Sequence, residues 1–164
     1  MNELTYAELT RELFPRLTGG IRWGLDRTRA LLDAVGNPHR SFRSIHIAGT
    51  NGKGSVAAAL ASTLRADGHF VGLYTSPHLV RFNERIKIDG ADITDADLVR
   101  LYRRVRRVLP PGREPTFFEF TTAMALDEFG RRRVDWAVIE TGMGGRLDAT
   151  NVLSPELSII TNIS

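Results

Sequence analysis

Ile45-His-Ile-Ala-Gly-Thr-Asn-Gly-Lys-Gly-Ser55 is the stretch whose reading decides the fold. Ile45 to Ala48 is a short apolar run, the pattern of a buried parallel strand. It breaks into a turn carrying Gly49, Gly52 and Gly54. A helix is expected from about Ser55 to Ala66, closed by Gly68. Strand, glycine turn and helix are how α/β proteins hold phosphate: glycines let backbone N–H groups approach the oxygens, and the helix N-terminus adds unpaired N–H groups and a positive dipole end. Asn51, Gly52, Lys53, Gly54 and Ser55 are therefore candidates for wrapping a nucleotide's phosphates, with Lys53 reaching the outer ones and Ser55 placed for a magnesium ion. The stretch departs from G-x-x-x-x-G-K-[ST] at two points. Ile47 stands where the first glycine belongs, and Gly54 separates the lysine from Ser55.

Outward from this unit, Phe70-Val-Gly-Leu-Tyr74 reads as the next strand, ending in Thr75-Ser-Pro-His-Leu79. Strand, helix, strand at this spacing is a βαβ unit, so the sheet is expected to be parallel, with ligands at the carboxyl ends of its strands. Ser76 and the glycine turn then face one crevice. Upstream, residues 3 to 14 suit a short amphipathic helix broken by Gly19-Gly20, and a second helix runs from about Asp26 to Val35. Downstream, a short strand is expected at Arg85 to Asp89. Thr94 caps a helix reaching about Leu109, and its five arginines, Arg100, Arg103, Arg104, Arg106 and Arg107, read as a solvated face rather than a nucleic-acid patch. Pro110 to Pro115 is loop-like, a helix spans about Thr116 to Arg132, and Val134 to Ile139 and Leu157 to Thr161 are strands.

At 164 residues the chain suits one domain, and with 42% hydrophobic residues it can bury a substantial core. The absence of cysteine excludes disulfides and thiolate metal sites. No apolar run is long enough to span a membrane, and the start of the chain lacks the features of a signal peptide, so a cytoplasmic location is expected. The net charge of +3 suits an anionic small substrate and argues only weakly for nucleic acid.

Glu140 follows an apolar strand directly, where phosphate-loop proteins place the acid that holds magnesium or its water shell. The run Thr141-Gly-Met-Gly-Gly-Arg-Leu-Asp-Ala-Thr-Asn151 then allows close backbone approach to a ligand, with Arg146 and Asp148 supplying charge. His78 is read as a loop residue rather than a metal ligand.

Two stretches carry a family resemblance. Ala48-Gly-Thr-Asn-Gly-Lys-Gly-Ser55 and Ile139-Glu-Thr-Gly-Met-Gly-Gly-Arg-Leu-Asp-Ala-Thr-Asn-Val152 resemble the two signatures of folylpolyglutamate synthases and dihydrofolate synthases, of the Mur-ligase superfamily. Thr75 to Leu79, Arg81 to Arg85, Trp23-Gly-Leu-Asp26 and Thr116-Phe-Phe-Glu-Phe120 resemble other segments of that family, so the likeness covers nearly the whole chain. It implies an α/β, P-loop-type ATP-binding domain, a parallel sheet with flanking helices, over residues 1–164. The implied activity is that of an ATP-dependent ligase. It joins a pteroate or folate carboxylate to the amino group of L-glutamate through an acyl phosphate. Lys53 and Glu140 are the implied catalytic residues, and Ser55, Ser76 and Glu140 the magnesium site. Gly24, Leu25, Asp26, Phe117, Phe118, Glu119, Arg146, Leu147 and Asp148 would contact the pteroate part. Phe117, Phe118 and Phe120 suit the core equally well. Partners implied are small molecules alone, with no nucleic acid or membrane and a monomeric state.

Family members are far longer: their next stretch supplies Asp-His, with the histidine a metal ligand, a lysine carbamylated in many members comes further on, and a separate C-terminal Rossmann-like domain supplies more ATP contacts and much of the glutamate site. The chain therefore reads as the front part of such a ligase, incomplete at its C-terminus and inactive by itself. Two other readings are a Mur-type ligase acting on a cell-wall precursor and a non-catalytic nucleotide-binding module. Gly54 after Lys53 and the run from Gly142 to Asn151 count against the former.

Overall fold

In the computed structural model, which describes residues 5–14, 24–109, 111–112 and 114–164, the apolar run around Ile45 is the second strand in from one edge of a six-stranded sheet. The expected Gly19-Gly20 break, Trp23 and Leu4 lie outside the described residues. In chain order the elements are α1 (Tyr6–Leu13), α2 (Asp26–Ala34), β1 (Arg43–Ala48), α3 (Lys53–Ala66), β2 (Val71–Tyr74), β3 (Ile86–Ile88), β4 (Ala91–Asp92), α4 (Asp95–Arg107), α5 (Phe117–Arg132), β5 (Trp136–Glu140) and β6 (Leu157–Ile160).

The sheet order is β4-β3-β2-β5-β1-β6. β2, β5, β1 and β6 run parallel, while β3 and β4 pair antiparallel at one edge. The expectation of a parallel sheet therefore holds for the centre and fails at that edge. β2 returns to β3 through the short connection 75–85, which is too tight for the crossover a parallel pair needs. β4, only two residues long, has no pattern legible in the sequence.

Helices cover both faces. On one face α3 packs Ala57 and Ala61 against Ile45, Ile47, Val71, Leu73 and Val138. On the other lies the larger core, in which α5 is buried nearly from end to end and joins α1, α2 and α4 to the sheet. Thr116 caps α5, its side chain accepting the Glu119 N–H while the Glu119 carboxylate accepts the Thr116 N–H. At burial of this depth that reciprocal cap fixes where the helix begins.

The arginines of α4 are not simply solvated. Arg100 binds Glu128 and Asp97, Arg104 binds Asp127, and Arg132 of α5 binds Glu128 and Asp97. Glu128 and Asp127 are buried, so these pairs fasten α4 to α5.

Candidate functional site

β1 and β5 end side by side, with Ile47 paired to Glu140, and their carboxyl ends open into one crevice. From β1 the chain turns through Gly49, Thr50, Asn51 and Gly52 into α3. Gly49 has φ +134° and sits so close to its neighbours that an added Cβ would lie 2.1 Å from Thr161 Oγ1. Gly52, at φ +79°, is the N-cap and offers no side chain. The helix therefore starts at Lys53, two residues earlier than expected, with bare N–H groups at its mouth. Lys53 folds back, its Nζ donating to the carbonyls of Gly49 (2.9 Å) and Thr50 (3.2 Å).

The loop is braced from behind by the end of β6. Thr50 N donates to Asn162 O (2.7 Å), Asn51 N donates to Asn162 Oδ1 (2.9 Å), and Thr161 Oγ1 donates to Asn51 O (2.7 Å). Sequence reading missed both residues. The available signal was a polar Thr-Asn pair at the carboxyl end of an apolar strand.

Glu140 is buried at the end of β5, and its Oε2 accepts the Ser76 N–H at 3.0 Å. Burial raises its pKa, while the Ser76 N–H, Lys53 and Arg85 draw it back down. A Cβ on Gly54 would stand 3.6 Å from Glu140 Oε2. The glycine after the lysine thus leaves space in front of the acid, where the usual loop motif would carry a hydroxyl. Ser55, one step further along the helix, is exposed. The structure thus gathers Lys53, Gly54, Ser76 and Glu140 at one place and turns Ser55 outward. Among the described residues no cluster of three or more His, Asp or Glu forms a metal cage. A lone carboxylate with hydroxyl and phosphate oxygens is the donor set magnesium takes in nucleotide sites, so the residues fit that ion.

Beside this acid lies an aromatic wall. Phe118 is half-buried, 6.0 Å from Tyr74, and its ring occupies the space a Cβ on Gly142 would fill. Phe117 and Phe120 are core residues. Glu119 does not face the crevice freely: besides capping α5 it pairs with Arg27 at 2.8 Å. That pair ties α2, and with it Gly24, Leu25 and exposed Asp26, to the start of α5. Arg146 and Leu147 are exposed in the glycine run. Asp148 is buried and organises that run, accepting the N–H groups of Gly142, Met143 and Thr150. It also accepts the Thr150 hydroxyl. That hydroxyl has a single proton, so it receives the Nε2–H of neutral His46 at 2.8 Å. A cleft of about 870 Å³ opens at the opposite ends of the strands, around Arg40, Arg43 and Arg133, and contains none of these residues.

A folylpolyglutamate synthase of Lacticaseibacillus casei is 48% identical over 159 residues, which cover 92% of this chain and 36% of that protein. The crystal structure of a Thermotoga maritima folylpolyglutamate synthase superposes with a TM-score of 0.91 at 43% identity, covering 97% of this chain and 38% of the other. The chain matches the N-terminal part of folylpolyglutamate and dihydrofolate synthases. E. coli FolC in complex with DHPP and ADP superposes on this chain with a TM-score of 0.92 at 32% identity, over 98% of this chain and 38% of that one. The chain thus spans under two fifths of the length of these synthases. No family model matches it. No helix among the described residues is long and apolar enough to cross a membrane.

Proposed function

We propose that this synthase-type domain binds ATP on the Gly49–Ser55 loop and a pteroate or folate against the Phe118 wall. Its reaction is the ATP-dependent joining of the pteroate or folate carboxylate to the amino group of L-glutamate. The carboxylate takes the terminal phosphoryl group of ATP, releasing ADP, and glutamate nitrogen then displaces phosphate to leave an amide. The observation that carries this reading is the Glu140 carboxylate, fixed by the Ser76 N–H and facing Gly54 beside Lys53. The ADP and DHPP of the superposed E. coli structure support the same pairing of ligands.

Each residue has a part. The N–H groups at the mouth of α3 bind the phosphates, those of Thr50 and Asn51 being taken by Asn162, and Lys53 stabilises charge on the phosphoryl group in flight. Glu140 and Ser76, with Ser55 as a third candidate, hold magnesium, which supplies charge neutralisation of the phosphate oxygens. Phe118 stacks on flat rings, Gly24 to Asp26, Phe117, Glu119 and the 146–148 segment shape the pocket, and Asp148 keeps its glycine run in form.

Titration calorimetry with MgATP tests the reading. Lys53→Ala is expected to lose at least about tenfold in affinity without a change in melting temperature, in line with the loss of one charged contact. Equal binding by the variant and the parent would remove the loop from the nucleotide site.

A further inference from the structure

Arg85 closes the 3-10 turn Phe82–Arg85 and immediately precedes β3, at the crevice end of the β2–β3 pair, where Ile86 faces Tyr74. It is 7% exposed. Its guanidinium lies 5.2 Å from the Phe117 ring centroid and 5.7 Å from that of Phe82, and its Nε donates to His78 Nδ1 at 2.8 Å. That bond fixes His78 as a neutral ring, because a protonated ring has no acceptor to offer. Among the described residues no carboxylate forms an ion pair with Arg85, although it feels the charge of Glu140. The other arginines of the loop and of α4 that are near acids pair with them: Arg81 holds Asp95, and Arg100 and Arg104 hold Glu128 and Asp127. Its other side-chain hydrogen-bond partner is Tyr74. A buried guanidinium held by a neutral ring, a tyrosine and two aromatic faces keeps its charge without a directly paired carboxylate, which is costly unless an anion arrives.

We propose that Arg85 is the anion-recognising residue of the crevice, binding the carboxylate of the pteroate-type substrate between the aromatic wall and Glu140. The assignment rests on the function proposed above. A planar guanidinium whose Nε is spent on His78, and which also bonds Tyr74, still has N–H groups to present to one ligand, and a carboxylate matches that fork. Held there, the acid group stands on the side of Glu140, at the end of β5, which faces Lys53 of the loop. His78 acts as a positioning residue, aiming the guanidinium through Nδ1.

The test compares two ligands, pteroate and the amide in which its carboxylate is replaced by a carboxamide, on the chain and on Arg85→Gln and Arg85→Lys. The chain is expected to prefer the carboxylate by about tenfold or more. Arg85→Gln is expected to bind both alike, and Arg85→Lys to recover part of the preference. MgATP affinity is expected to change less than the carboxylate preference, since Arg85 reaches the magnesium site only through the charge of Glu140. A preference that survives Arg85→Gln overturns the assignment, as does a loss confined to MgATP affinity. Should Arg85→Gln fail to fold, the Arg85 Nε–H resonance of the unaltered chain decides. It is expected to shift with pteroate and not with the carboxamide, and equal shifts or none overturn the proposal. A chain that binds neither compound overturns the proposed function as well, whereas one that binds both without preference overturns Arg85 alone.

Discussion

Glu140 sets the demands of stability against those of the role proposed for it. Burial raises its pKa, so the folded chain takes up a proton more readily than the unfolded one, and the ionised form is a burden that grows as pH rises through the folded value. Glu140→Gln is therefore expected to be more stable than the parent at pH 8, with the gap closing toward pH 5 as the parent protonates. Thermal unfolding across that range measures it. The same substitution is expected to remove magnesium-dependent nucleotide binding while sparing metal-free binding, and unchanged magnesium dependence would take Glu140 out of the metal site. Gly49 is constrained differently: its φ is +134°, and a Cβ added there would lie 2.1 Å from Thr161 Oγ1, so none fits. Gly49→Ala is expected to unseat the loop and weaken nucleotide binding at least about tenfold, as loss of a cradle built on close approach requires. Glu140 and the glycine loop were legible in the sequence because each sits at the end of an apolar strand. Arg85 was not, since its burial and its lack of an acid partner follow from how α5 and the 3-10 turn pack. Asp148 was legible as a charge, but the four donors that occupy it appear only once the glycine run has folded around it.

At the scale of elements, α5 is the member on which the site depends. Its first turn carries Phe117, Phe118 and Glu119, and its last turns carry the acids that receive α4. Glu128 is fully buried under Arg100 and Arg132, both of which are partly exposed. Glu128→Leu leaves Arg100 and Arg132 sharing Asp97 and water, so a loss of about 1–3 kcal/mol is expected, less than for a pair buried on both sides. Urea unfolding measures it, and an unchanged midpoint would show that α4 is held by its apolar face alone. The sequence placed α3, α4 and α5 by their caps and periodicity. It misjudged the start of α3, because a left-handed Gly52 allows the helix to begin without a capping side chain. It could not see the Arg–acid pairs across α4 and α5, which join residues 23 to 35 positions apart.

For the molecule as a whole, His39, His46 and His78 all have lowered pKa values, burial being the first cause in each. The unfolded chain therefore binds protons below about pH 6.5 that the folded chain refuses. Stability is expected to fall steadily from pH 7.5 to pH 5.5, read as a declining urea midpoint. A flat midpoint would mean that these rings accept protons in place. Glu84 adds a second loss in more acid solution, since the backbone N–H groups of Arg81 and Leu79 hold its pKa down and protonation abandons them.

The brace of Thr161 and Asn162 behind the phosphate loop joins places more than a hundred residues apart in the chain. Such a joint works in both directions. With nucleotide on the loop as proposed above, whatever steadies the end of β6 would tighten the grip on it, and the bound nucleotide would steady the end of β6 by the same free energy. The strand that flanks β1 would thus gauge occupancy, and slowed amide exchange at Thr161, whose N–H donates to Ala48 O at 3.0 Å, on adding nucleotide would read it.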